Sequence, residues 1–141
     1  MNRKALLQYK KTSVGTISRE RILLMLYDGA IRFLEQAKRA VEQGQAQTKG
    51  EKISRAHAII SELNATLNHD VAPELCNNLQ SLYFFIFEQL NFANLNNDIP
   101  ALNTSIELLD QLRGAWREAV KQNTATPAQQ ARSSSVQLSK R

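Results

Sequence analysis

Between residues 22 and 41 the apolar side chains recur at alternating intervals of four and three: Leu23, Tyr27, Ala30, Leu34, Ala37 and Val41. That period places all six on one stripe of an α-helix and is incompatible with the two-residue alternation of a half-buried strand. The flanks agree. Ser18 is a suitable N-cap, Glu20 suits the positive end of the helix dipole, and Ile17 with Ile22 occupies the two positions of a hydrophobic staple. Gly44 supplies the stop.

Three further segments repeat the pattern. The second opens at Thr48-Lys49-Gly50-Glu51, which fits a capping box, and carries Ile53, Ala56, Ile60, Leu63 and Leu67. Pro73 and Glu74 open the third, whose stripe is Leu75, Leu79, Leu82, Ile86, Leu90 and Ala93. Asp98 is the expected N-cap of the fourth, with Pro100 in its first turn and Leu102, Leu109, Trp116 and Val120 in its stripe. Helices over about 18–43, 48–69, 73–96 and 99–122, joined by short loops, predict an all-α fold: an antiparallel up-down-up-down four-helix bundle over 18–122. Residues 1–17 are expected to form an N-terminal arm in which Leu6, Leu7, Tyr9 and Val14 give a basic, irregular stretch something to bury. Residues 123–141, rich in Ser, Gln, Thr and Ala, are expected to be a disordered tail.

The chain of 141 residues is one domain's length, with ordinary hydrophobic (43%) and charged (22%) fractions. Its net charge of +5 looks like a nucleic-acid signature until it is divided. Residues 1–21 and 121–141 carry the excess, while residues 22–120 hold eight basic and twelve acidic groups. A nucleic-acid binder gathers Lys and Arg on a folded face; this folded body is mildly acidic. Residues 1–11 lack the apolar core of a signal peptide, and no apolar run approaches the ~20 residues of a membrane span, so a cytoplasmic protein without membrane insertion is expected.

Catalytic chemistry finds no footing. Ser54 stands three residues before His57 and Thr66 three before His69, so the Glu-x-x-His motif of di-iron bundles is absent. The single Cys76 lies in an apolar helical pattern, reads as a small buried hydrophobe, and offers no zinc-ligand spacing. There is no Gly-rich phosphate loop. No enzyme activity, cofactor or metal is expected.

What remains is surface. In LLMLYDGAIRFL (23–34) the apolar arc spans about 200° at 100° per residue, roughly twice what buries an ordinary bundle helix. Leu24 and Ile31 lie beyond the core stripe and Met25 farther still, with Asp28 and Gly29 on the same face. The third helix repeats the excess: Phe85 and Phe92 flank its stripe and Phe84 points away from it. These side chains widen the core, form a contact between two copies, or line a groove for another chain.

The residues that carry a resemblance are Tyr9, Val14, Thr16 and Ser18, then LLMLYDGAIRFLEQAKRAVEQG (23–44), AHAIISELNATLN (56–68) and the stretch from Asn94 to Val120. Together they resemble the flagellar secretion chaperones, the FliS family, over about residues 7–121. Arg19 departs from the family, many of whose members carry Pro after the capping Ser. The resemblance implies a cytoplasmic chaperone of flagellar type III export that binds the disordered C-terminal segment of flagellin, prevents premature polymerisation and supports secretion. Delivery to the export gate is a further role that the resemblance implies; a monomer or weak homodimer is expected. The flagellin groove is expected to include Leu24, Met25, Asp28, Gly29, Ile31, Phe84, Phe85 and Phe92, with Leu6, Leu7, Tyr9 and Val14 as an N-terminal cap. The alternative is a structural or oligomerisation bundle that uses the same patches for self-association.

Overall fold

The computed structural model of the chain describes residues 19–123. Four helices follow one another: α1 (Arg19–Glu42), α2 (Ala46–Ala65), α3 (Pro73–Asn96) and α4 (Ile99–Asn123), with no strand among the described residues. They make the antiparallel four-helix bundle that the spacing predicts. Met25–Arg113 form one compact unit, and the described parts of the other, residues 19–24 and 114–123, are the outer ends of α1 and α4. The expected arm lies outside the described residues, as does the expected tail apart from Asn123, which ends α4.

The core sits in the Met25–Arg113 unit. Tyr27, Ala30, Leu34 and Ala37 of α1 are sealed from solvent, as are Ala56, Ile60 and Leu63 of α2, Ile86, Leu90 and Ala93 of α3, and Leu102 and Leu109 of α4. Cys76 is buried as a small hydrophobe. Burying a large apolar side chain contributes about 1.5–3 kcal/mol, so the stripes together drive the association of four helices that would each be marginal alone. On α3 the buried face is rotated relative to the expected one. Tyr83 and Cys76 are inside, whereas Leu75 is half exposed. A tyrosine enters the core because its hydroxyl finds a partner there: Tyr27 Oη and Tyr83 Oη are 2.6 Å apart, tying α1 to α3.

The turns explain the helix limits. Gly44 adopts φ +68°, its N–H donates to the Val41 carbonyl (3.1 Å), and Gln45 N–H donates to the Ala40 carbonyl (2.8 Å). This pair of bonds is a Schellman closure, which needs the left-handed conformation glycine tolerates. The chain emerges from it already aimed into α2, which therefore starts at Ala46 and not at the expected 48. Gln45 caps it through its backbone, Thr48 is inside the helix, and the Thr48–Glu51 capping box does not form. Nor does α2 reach residue 69. Thr66 Oγ1 donates back to the Leu63 carbonyl (2.7 Å), and Asn68 then organises a turn in which its carbonyl accepts from Val71 and Ala72. Pro73 occupies the first turn of α3. Asp98 caps α4, its Oδ1 accepting from Ala101 N–H at 2.8 Å.

A second tie binds α2 to the end of α3. Lys49 is buried, and its Nζ donates to the Asn94 carbonyl and to Asn97 Oδ1, both at 2.7 Å. Asn97 sits in the left-handed region (φ 52°), so the Asn94 carbonyl belongs to the last turn of α3, where carbonyls lack intrahelical partners. The ammonium satisfies it and lies at the negative end of the helix dipole.

Candidate partner-binding face

α3 is apolar on both sides. Opposite its core stripe, Phe84, Phe85, Phe92 and Leu95 are exposed, Leu95 to 83%. Phe85, Glu88, Phe92 and Leu95 are separated by three, four and three residues and so form one line along the helix. Around the α2 side the apolar surface continues: the Phe84 and Phe87 rings are 6.2 Å apart and tilted, and His57 of α2 stacks on Phe87 at 4.3 Å. Solvated aromatic rings in a row are costly unless something covers them.

The sequence-derived groove residues divide into groups. Phe84, Phe85 and Phe92 are open on α3, and Met25 of α1 is 67% exposed. Leu24 is half-buried. Asp28 is exposed but engaged: its Oδ1 accepts from Arg113 Nη1 at 2.8 Å, while Arg113 Nη2 donates to Asp110 at 2.6 Å. The hydrogen bond that Arg113 donates to Asp28, then the one it donates to Asp110, holds its guanidinium above its ordinary pKa.

Two residues turn inward. Ile31 is 9% exposed and belongs with the core. Gly29 is buried beneath α2; a Cβ built there would meet Ile59 Cδ1 at 3.3 Å. The close approach that a glycine permits is thus made here by the protein's own second helix. The reason is geometric: α1 packs between neighbours on two flanks, so a wide apolar arc is consumed inside the bundle. Leu6, Leu7, Tyr9 and Val14 lie outside the described residues.

Leu95 is the groove candidate sequence reasoning passed over. Its signal was present as a continuation of the Phe85–Phe92 line by one more step of three. Among the described residues no group of His, Cys, Asp and Glu is placed to hold a metal ion. No helix among them is long and apolar enough to cross a membrane.

Known proteins supply an independent comparison. The family model "Flagellar protein FliS" matches residues 1–123. The flagellar secretion chaperone FliS of Vibrio cholerae is 36% identical over 118 residues, covering 81% of this chain and 87% of that protein. Its counterpart in Bacillus subtilis is 33% identical over 113 residues, covering 80% and 84%. A crystal structure of a bacterial flagellar chaperone superposes with a TM-score of 0.70 at 19% identity, covering 84% of this chain and 96% of the other, and so shares the fold. With the family model spanning most of the sequence, and relatives in two distant bacteria above 30% identity, this chain belongs to the FliS family of flagellar secretion chaperones.

Proposed function

We propose that this protein is a cytoplasmic export chaperone that binds the disordered C-terminal segment of flagellin along the outward apolar face of α3. By holding that segment it prevents premature polymerisation and supports secretion through the flagellar type III system, with the export gate as a further partner. The observation that carries this reading is the line of Phe85, Phe92 and Leu95, with Phe84 beside it, left open on a helix whose opposite face is fully packed. An amphipathic client segment with anchors three and four residues apart is complementary to such a line. A disordered client orders as it binds, so the apolar area covered must exceed the ordering cost. Membership of a secretion-chaperone family makes a flagellar client the natural occupant. Met25 is a further candidate contact on α1.

The test is co-purification with flagellin bearing or lacking its C-terminal segment. The wild-type chain is expected to retain the full-length client and to release the truncated one. Phe92→Lys with Leu95→Lys is expected to lose the client while far-UV circular dichroism stays unchanged. Retention of the client by this variant would move the binding face elsewhere. A stable dimer in sedimentation that dissociates in the same variant would instead assign the face to self-association.

A further inference from the structure

Beyond the α3 face, the seam between α1 and α2 carries a further feature. Three cations surround one aromatic ring. The Arg32 guanidinium is 5.9 Å from the centroid of Phe33, Lys52 Nζ is 5.6 Å from it, and the Arg55 guanidinium is 5.8 Å from it. Each distance is within the range of a cation–π attraction. Arg32 and Arg55 are exposed, Lys52 and the ring are half-buried, and none of the three cations takes part in an ion pair among the described residues.

Charge bookkeeping makes this cluster unusual. Residues 22–120 hold eight basic groups against twelve acidic ones. Of those eight, Lys49 is spent on the end of α3 and Arg113 on Asp28 and Asp110. In an otherwise acidic body, three of the remaining six converge on a single ring. Converged like charges repel, and an anion placed among them removes that repulsion while forming charge-assisted hydrogen bonds. Being within 6 Å of one point, no two of them are farther apart than about 12 Å, which three to four residues of extended chain span. A nucleic-acid backbone or a membrane needs a basic surface that continues well beyond this, and the acidic body does not provide one.

We infer that the Arg32–Phe33–Lys52–Arg55 cluster is a docking site for a short acidic polypeptide segment of a partner protein, in which two or three carboxylates meet the cations and an apolar side chain lies on the exposed edge of Phe33. The site is on α1 and α2 and is separate in residues from the proposed client line of α3. Its electrostatic character gives a fast, salt-sensitive association.

The test uses the full chain and a fluorescein-labelled peptide of alternating Glu and Leu, followed by anisotropy at several salt concentrations. Lys52→Gln with Arg55→Gln is expected to weaken binding about tenfold or more. Lys10→Gln with Lys11→Gln, in the basic N-terminal stretch, and Leu95→Lys are expected to leave it within about twofold. The Arg32 and Arg55 Nε–H resonances are expected to shift on titration. Loss of binding in the Lys10, Lys11 variant with no loss in the Lys52, Arg55 variant overturns the proposal, as does an absence of binding. Tighter binding of oligouridylate or of phosphatidylglycerol vesicles, lost in the Lys52, Arg55 variant, would replace it with a nucleic-acid or membrane site.

Discussion

The phenolic oxygens of Tyr27 and Tyr83 stand 2.6 Å apart in the sealed centre of the bundle, 56 residues apart in sequence. Each ring fills core volume, and the two hydroxyls are hydrogen-bonded to each other. Removing the Tyr27 hydroxyl takes this partner away from buried Tyr83. Tyr27→Phe is therefore expected to cost about 1–3 kcal/mol, and adding Tyr83→Phe to recover most of it, because the second change removes the stranded group. Urea unfolding of both single variants and the double variant closes the cycle. Simple additivity would show that the two hydroxyls are not coupled.

The same pair confers a pH dependence. Burial, followed by the proximity of Tyr27, pushes the Tyr83 pKa well above its ordinary value of about 10. A raised folded-state value means the native state holds its proton where the unfolded chain has released it. The associated stability is complete below pH 10 and declines as pH rises beyond that, by at most about 1.4 kcal/mol per pH unit. Unfolding free energy measured from pH 9 to 11 should fall more steeply for wild type than for Tyr83→Phe. Parallel curves would show that Tyr83 titrates normally.

Lys49 locks the α3 terminus through two contacts of different kinds, the Asn94 carbonyl and the Asn97 side chain. Lys49→Met keeps the stem's packing and removes both, at about 1.5–3 kcal/mol for the charged hydrogen bonds. Asn97 adds a backbone requirement, since its φ of 52° is tolerated by Asn and Gly and costs other residues about 1–2 kcal/mol. Asn97→Ala is accordingly expected to be more destabilising than Asn97→Gly. Thermal melts of the three variants test the order. Equal losses for Ala and Gly would mean the side-chain contact alone matters at position 97.

Much of this was legible in the sequence because helix periodicity is a local property. The stripes of α1 and α2, most of that of α3, Gly44, Pro73 and the Asp98 cap lay where spacing and turn chemistry put them, and Phe84, Phe85, Phe92 and Met25 emerged exposed. What misled was non-local. A helical wheel shows how wide the apolar arc of α1 is, but not how many neighbours share it. Gly29 and Ile31 therefore read as surplus, although Ile59 of α2 covers the first and the core takes the second. Thr48 and Glu51 matched a cap motif that a backbone turn three residues earlier made redundant. Lys49 had no local signal at all, because its partners lie 45 and 48 residues downstream.

That division separates two substitutions that the sequence alone would have grouped. Ile31→Asp places a carboxylate in a site only 9% exposed and leaves a void where the side chain was. It is expected to cost about 3–5 kcal/mol, so any loss of client binding would follow from loss of the fold. Leu95→Lys alters a side chain that is 83% exposed, in the last turn of α3, where a cation suits the helix dipole. Its stability is expected to stay within about 0.5 kcal/mol of wild type while affinity for flagellin falls. Urea midpoints paired with client titrations for the two variants distinguish core from client face. If Ile31→Asp unfolds at the wild-type midpoint and still fails to bind, Ile31 belongs to the groove. If Leu95→Lys binds unchanged, the client line ends before the last turn of α3.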